Sequence, residues 1–359
     1  MNPADADKRS SGPRTTCARS TLAAGHRLSS QICSTKGIPL FKAAISRTAV
    51  VGGLVMAMIA SGPVTAAQAA YYNTYTDIAG TPDLDCCGQV QGFAAGATYL
   101  YSIKNDNDTN AISAIYRVNK ATGDRVVMWN GTDDRSTNTW LGHGNDMTIV
   151  DIDGVHHMFI VTMDTDAADM QLVKLRYDGT TYEYAGAYQL HLDGDVLPAS
   201  GINRVSVTST SITFMFKSGR TVYNGSLPLR ADSGSIEVTK AFDLQVDDAL
   251  VNGATVPDLG TFKAQGFFYD QTNHVLYNPL TKDKRSIVLV YRNVSPATTG
   301  TAPAATDLSF RITSSMYSQL FEIEGVGISD GKLYFNTNRR DADGAGHDGV
   351  HVFNDYVVS

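Results

Sequence analysis

In the segment Gly142-His143-Gly144-Asn145-Asp146-Met147-Thr148, an imidazole, an amide and a carboxylate fall within four positions. Such groups could relay a proton, with the carboxylate orienting the imidazole, or they could ligate a hard cation. If the chain is extended from Asn145 onward, strand alternation sends Asn145 and Asp146 to opposite faces. Glu322 and Glu324 lie two apart and share a face under the same rule. Paired carboxylates are the equipment of glycoside hydrolysis, although hydrogen bonding along a channel is the simpler use for them. His143, Asp146, Glu322 and Glu324 are thus the candidates for catalysis.

Asp341, Asp343 and Asp348 form an oxygen-rich stretch that matches part of a calcium loop without the terminal Glu of an EF-hand. Asp106-Asn107-Asp108 reads the same way. Both are expected to be Asx turns, with calcium as the alternative and no other cofactor implied. His156-His157 opens a β-prone run and alternates faces, which suits a strand better than a metal site. The sequence has no Walker loop, HExxH, CxxC, GxSxG or dinucleotide fingerprint.

The elements that must position these residues are all β. Short Val/Ile/Tyr/Phe/Thr runs such as TYLYSI, HHMFIVT, SITFMF and KLYFNT are separated by turn dipeptides, among them Asp153-Gly154 and Asp178-Gly179. Five segments align on a period: Gln91-Gly92-Phe93, Asn145-Asp146-Met147, Asn203-Arg204-Val205, Gln265-Gly266-Phe267 and Glu324-Gly325-Val326, at intervals of 54, 58, 62 and 59 residues. Each starts with an amide or carboxylate and reaches an apolar residue two positions later. A second β-run follows in each unit, and a third in several.

Three or four strands repeated five times predict a five-bladed β-propeller, with a six-bladed ring, a β-sandwich or a β-helix as alternatives. Gln91, Asn145, Asn203, Gln265 and Glu324 would then ring the central channel. Cross-linking of blades is the plain role for that ring. His143, Asp146, Arg204 and Glu322 add groups suited to contacting a ligand.

Ahead of this domain lies a leader. Residues 49–60 (AVVGGLVMAMIA) follow Lys42 and Arg47 and precede Ala66-Ala67-Gln68-Ala69-Ala70, the pattern of a secretory signal with an A-x-A cleavage site. The expected organisation is a disordered leader with signal peptide over 1–70 and a propeller over 71–359, the mature protein being secreted with no later membrane span. The part after residue 70 carries 21 Lys and Arg against 34 Asp and Glu, a net of −13. Such acidity disfavours nucleic acid as a partner. Its two cysteines, Cys86 and Cys87, are adjacent and could form a vicinal disulfide, pair with another chain or bind a soft metal.

Residues 142–148 are similar to the GHxNDMT segment of helveticin J-like proteins, secreted large bacteriocins of Gram-positive bacteria. The Gln-Gly-apolar starts at Gln91 and Gln265 and the Glu-Gly-apolar start at Glu324 resemble that family too, and the likeness runs from about Gln89 to the C-terminus. Ile149 stands where the family often has Tyr. The resemblance implies an exported antibacterial propeller that recognises a cell-envelope polymer of related bacteria. A non-lytic carbohydrate-binding or wall-binding propeller is the alternative, with a glycosidase or lyase third.

A propeller must also close. Residues 71–78 and 351–358 are both β-prone and lie outside the repeat starts. The N-terminal strand is therefore expected to complete the blade built by the last repeat, pairing edges otherwise left exposed.

Overall fold

Most of the β-prone runs become strands buried on both faces, which happens when each sheet is flanked by two others. A computed structural model describes residues 74–106, 109–163, 171–312 and 314–354. The signal peptide and the rest of the 1–70 leader fall outside the described residues. Hairpins turn where sequence chemistry allows it. Asp153 and Gly154, for example, adopt φ of 55° and 81°, the left-handed pair that a two-residue turn between twisted strands requires.

Blade 1 is built from Gln89–Ala95, Tyr99–Asn105, Ser113–Asn119 and Arg125–Val127. Blade 2 uses Asp146–Ile152, Val155–Val161, Leu172–Asp178 and Thr181–Leu192. Blade 3 uses Gly201–Val207, Ser211–Ser218, Thr221–Pro228 and Thr239–Leu244. Blade 4 has a split inner strand, Lys263–Ala264 and Phe268–Asp270, then Val275–Lys282, Arg285–Arg292 and Phe310–Ile312. Blade 5 combines Leu320–Ser329, Lys332–Arg340 and Gly349–Phe353 with Tyr75–Gly80 from the other end of the chain. The architecture is the expected all-β, five-bladed propeller.

The core is divided as a ring requires. Its apolar clusters sit between consecutive blades: Ile103 with Met158 between blades 1 and 2, Phe159 with Phe214 between 2 and 3. Met215 meets Leu276 between blades 3 and 4, Val288 joins Phe335 between 4 and 5, and Leu100 joins Tyr334 between 5 and 1. A single blade could not bury these side chains alone, so stacking supplies the folding energy.

At the axis the inner strands meet directly. The backbone partners put Ser200-Gly201-Ile202, not Asn203-Arg204-Val205, in register with the other blade starts. Ser200 N–H donates to the Lys217 carbonyl (2.7 Å) just as Asn145 N–H donates to that of Val161 (3.1 Å). This corrects the third repeat by three residues. Four of the five blades thus place glycine at the crossing: Gly92, Gly201, Gly266 and Gly325. A Cβ on Gly92 would stand 2.6 Å from the Gly144 oxygen, and one on Gly325 would stand 2.6 Å from the Phe93 Cβ. Glycine permits this approach because it has no side chain. Blade 2 alone has a side chain there, Asp146, and the expected open channel is closed around it.

Closure follows the expected route. Tyr75–Gly80 pairs antiparallel with Gly349–Phe353, with Tyr75 opposite Phe353 and Gly80 opposite Gly349; residues 71–73 and 355–359 fall outside the described residues. A polar latch crosses this seam. Asp77 accepts from Arg339 Nη1 (3.0 Å) and from His351 Nδ1 (2.8 Å), while His351 Nε2 meets the Thr337 hydroxyl (2.8 Å). The hydrogen bond from His351 and the Arg339 guanidinium hold Asp77 well below the usual carboxylate range, and burial pushes the fully enclosed His351 down to about 4.

Two outcomes follow from the seam. Deleting residues 71–80 removes a whole strand and bares a blade edge, so the melting temperature should drop by about 10 °C or more. A deletion that melts within a degree or two of the parent would show that the ring closes without this strand. Secondly, His351 has a folded pKa below its unfolded value near 6.5, so the unfolded chain binds the proton first on acidification. The stability it contributes is complete above about pH 6.5 and is lost as pH falls toward 4. In His351→Gln, which cannot titrate, the fall in melting temperature between pH 6.5 and 4 should be visibly shallower; an unchanged slope refutes the assignment.

Candidate functional site

The segment that carries the sequence motif builds one mouth of the propeller. Gly142 and Gly144 both take left-handed backbone, φ 54° and 62°, and the turn they make presents His143 between them. Three bonds pin this turn: His143 N–H donates to the Thr162 carbonyl (2.9 Å), Asn105 Nδ2 donates to the His143 carbonyl (3.1 Å), and Gly92 N–H donates to the Gly144 carbonyl (2.8 Å). His143 Nδ1 lies 3.2 Å from Asn110 Oδ1. Burial lowers the His143 pKa, with the nearby Lys263 ammonium adding to it, so the ring is neutral near pH 7.

His143, Asn145 and Asp146 do not converge. Asn145 lines the mouth and donates from Nδ2 to the Ser200 carbonyl (2.5 Å), linking blades 2 and 3. Asp146 points inward and is 2% exposed. Its Oδ2 accepts from Ile202 N–H (3.0 Å) and from Phe267 N–H (3.1 Å), and its Oδ1 accepts from Met147 N–H (3.0 Å). Lys217, buried nearby, donates to the Gln265 carbonyl, to that of Gly266 (3.2 Å) and to Asn278 Oδ1 (2.8 Å). Burial pushes Asp146 up and Lys217 down, and their opposite charges counter both shifts. Asp146 receives three donors and Lys217 faces three acceptors, which is the hydrogen-bond inventory of the charged forms. Asp146 is a structural carboxylate, and the proton relay with His143 is not formed.

All five blades bring the mouth together in a depression of about 430 Å³, blade 3 through Ser200 and Gly219. Gln91 from blade 1 is 2% exposed, and its Oε1 has no hydrogen-bond partner among the described residues. Gln265 enters from blade 4 and donates to Thr281 Oγ1 (3.1 Å), with Lys263 two residues before it at the rim. From blade 5 come Glu322 and Glu324, which both line the mouth although the strand's register shifts between Ile323 and Gly325. Asn338 Nδ2 donates to Glu324 Oε1 (2.8 Å). Burial, then the neighbouring Glu322 carboxyl, raises Glu324 well above the usual range. Burial raises Glu322 as well, and the two carboxyls lie beside each other.

The mouth offers hydrogen-bonding groups of both senses. Sequence reasoning missed Ser200 and Lys263 in this mouth, placed Asn203 in its ring and expected Arg204 to face a ligand beside it. The signal for the correct register was the glycine of Ser200-Gly201-Ile202, which repeats the pattern at Gly92, Gly266 and Gly325. Asn203 and Arg204 lie at the opposite mouth.

The other sequence candidates have local roles. Asp348 is buried between Lys104 (3.0 Å) and Arg340 (3.3 Å) and accepts from Arg339 N–H (2.7 Å). Asp341 caps its own turn by accepting from Asp343 and Ala345 N–H, and it also meets His347 Nε2 (2.8 Å). Asp341, Asp343 and Asp348 therefore do not form a calcium cage; no group of three or more His, Cys, Asp or Glu that could hold a metal occurs among the described residues. Asp106 receives the Thr109 hydroxyl (2.5 Å), while residues 107–108 fall outside the described ones. His156 is exposed and His157 buried, as a strand dictates. Cys86 and Cys87 are joined to each other. Among the described residues no helix is long and apolar enough to cross a membrane.

No family model matches the chain, and no curated protein matches it. Among solved structures it is similar to a glycosyl hydrolase from Bacteroides ovatus, at 10% identity and a TM-score of 0.47 over 75% of this chain and 84% of that one. It is also similar to the GH43_1 enzyme from Xanthomonas citri, at 9% identity and a TM-score of 0.45 over 78% and 90% of the two chains. What the mouth can bind is decided by its own side chains.

The raised carboxyl pKa has a measurable cost. A group whose folded pKa is raised contributes stability below its unfolded pKa, near 4.3, and that contribution is lost as pH rises through the folded value. Glu324→Gln keeps the acceptor for Asn338 and removes the ionisation. Its melting temperature should exceed the parent's by about 3–6 °C at pH 8 and converge with it near pH 4.5. A lower melting temperature at pH 8 would show that the charged carboxylate stabilises the fold.

Proposed function

We propose that the chain is an exported glycan-binding propeller that holds a cell-envelope polymer of bacteria in the mouth between Gln91 and Glu324, without cleaving it. The single observation that supports this most is Gln91 Oε1, a buried carbonyl oxygen on a residue of the mouth, with no protein donor among the described residues. Buried polar atoms are almost always satisfied, and a ligand hydroxyl is the donor that fits. Around it stand a neutral imidazole, amides, two carboxyls of raised pKa and the Lys263 ammonium, which can donate to and accept from a polyol from several sides. The net of −13 after residue 70 favours a neutral glycan over a polymer rich in phosphate.

An antibacterial role is the second reading. It is favoured because Gly142–Thr148, the stretch similar to helveticin J-like proteins, is the segment that shapes this mouth. Wall binding would then be the targeting step of a secreted bacteriocin. Both readings are separated by one set of measurements on the purified protein. Incubated with isolated Gram-positive cell walls, it should co-sediment saturably and release no soluble sugar. Lys263→Ala and Gln91→Ala should each weaken binding about tenfold, the equivalent of one lost hydrogen bond to a group left unpaired. Absence of co-sedimentation, or unchanged affinity in both folded variants, would refute the glycan site. Soluble fragments would establish hydrolysis instead, and inhibition zones on bacterial lawns decide the antibacterial role.

A further inference from the structure

Small-molecule sites commonly line themselves with aromatic rings, and the polar mouth does not. None of its described lining residues is a Trp, Tyr or Phe, so no ring is available to stack on the face of a sugar. Recognition falls to polar groups, and among these a charge-assisted hydrogen bond is roughly twice as strong as a neutral one. Which charge a ligand brings is set by the acids on the wall.

Glu322 and Glu324 line the mouth side by side, and Glu324 is 3% exposed. Burial raises both carboxyls, and Glu322 adds to the rise at Glu324. Among the described residues neither forms an ion pair with a Lys, Arg or His. Lys263 counters part of the burial at Glu322 but stands exposed at the rim. Asp348, which also acts on the pair, has Lys104 (3.0 Å) and Arg340 (3.3 Å) as its own partners, and His143 is neutral. The acids thus lack a counter-charge. A separate observation shows that a ligand belongs beside them. Asn338 Nδ2 donates both to Glu324 Oε1 (2.8 Å) and to the Val90 carbonyl (3.0 Å), which sets Glu324 against the strand that carries Gln91. Asn336 Nδ2 holds the Gln91 backbone carbonyl (2.6 Å), while the side-chain Oε1 of Gln91 has no donor among the described residues.

We propose that the glycan held in this mouth carries a free amino group: a hexosamine whose ammonium is bound against Glu322 and Glu324 while its hydroxyls meet the amides. The proposal rests on the glycan-binding reading of the mouth and names the sugar it selects. An ammonium brings three donors and a charge that two carboxyls can share. By supplying the counter-charge it draws them into the ionised form. An N-acetyl group would put a neutral amide in its place and leave the buried acids uncompensated. The net of −13 after residue 70, which disfavours a polymer rich in phosphate, favours a cationic sugar.

Titration calorimetry near pH 6, where the sugar amine is charged, tests the proposal with the glucosamine disaccharide and its fully N-acetylated match. The amine form should bind one site per chain, at least tenfold more tightly than the acetylated form. Glu324→Gln, which keeps the acceptor for Asn338, should erase that preference. Asp193→Asn, which removes the same charge from an exposed turn of blade 2, should keep it. Gln91→Ala should weaken both sugars alike, which places them in the mouth. Equal affinity for the two sugars, a preference that survives in Glu324→Gln, or one that is lost in Asp193→Asn would each overturn the proposal. If cell walls co-sediment with the protein and neither disaccharide binds, the amino-sugar assignment falls and the glycan mouth stands; if the walls do not co-sediment, both fall.

Discussion

One carboxylate at the centre of the ring sets the terms for everything around it. Asp146 Oδ2 joins blade 2 to Ile202 of blade 3 and to Phe267 of blade 4, which is not its neighbour. The remaining blades reach the same crossing with glycines, so their backbones can approach within hydrogen-bond distance: Gly92 N–H meets the Gly144 carbonyl (2.8 Å), and Gly266 N–H meets that of Glu324 (2.9 Å). The Lys217 ammonium offsets the charge. Removing one partner of such a buried pair typically costs about 3–5 kcal/mol, because the other charge is left uncompensated. Five blades of unequal length are thereby held to one axis by groups that take up almost no room.

Closing the axis divides it in two. On one side the strands begin, and their starts carry Gln91, Asn145, Gln265 and Glu324 with the loop residue His143, all able to hydrogen-bond. On the other side the strands continue into Phe93, Met147, Phe267 and Val326, which are apolar because they belong to the packing between blades. The chemical contrast follows from strand alternation around a closed point: residues just before the crossing are spared from the core, and residues just after it enter it. The helveticin-like segment lies on the polar side. The carboxyl pair on that side is kept where ionisation is unfavourable, a strain that the interblade clusters carry.

Much of the fold was legible from local signals. Turn dipeptides with Asp and Gly marked the hairpins, and apolar runs marked the strands. The recurrence of an amide or carboxylate two positions before an apolar residue, at intervals near 60 residues, marked the blades. The two β-prone ends marked the closing sheet. The third blade was misread because Asn203-Arg204-Val205 satisfies the rule of an amide or carboxylate two positions before an apolar residue, whereas Ser200-Gly201-Ile202 starts on a hydroxyl; the glycine identifies it only once the crossing is known to exclude side chains. Asp146 was read as a reactive group for the same reason. Its sequence neighbourhood is that of a site, whereas its surroundings are backbone amides from strands more than fifty residues away.

By itself the sequence determined the class of fold, the number of blades, the seam at which the ring closes and the polar character of one mouth. These depend on propensity, periodicity and turn chemistry, all of which are properties of short stretches. Only the tertiary structure decided which residues share that mouth, that Glu322 and Glu324 are buried beside each other, that Asp348 serves Lys104 and Arg340 and not a metal, and that Arg204 lies at the other mouth. Each of these depends on contacts between blades, and loops of unequal length set the rotation of every blade about the axis. No local pattern encodes that rotation; it emerges when five sheets pack around one buried carboxylate.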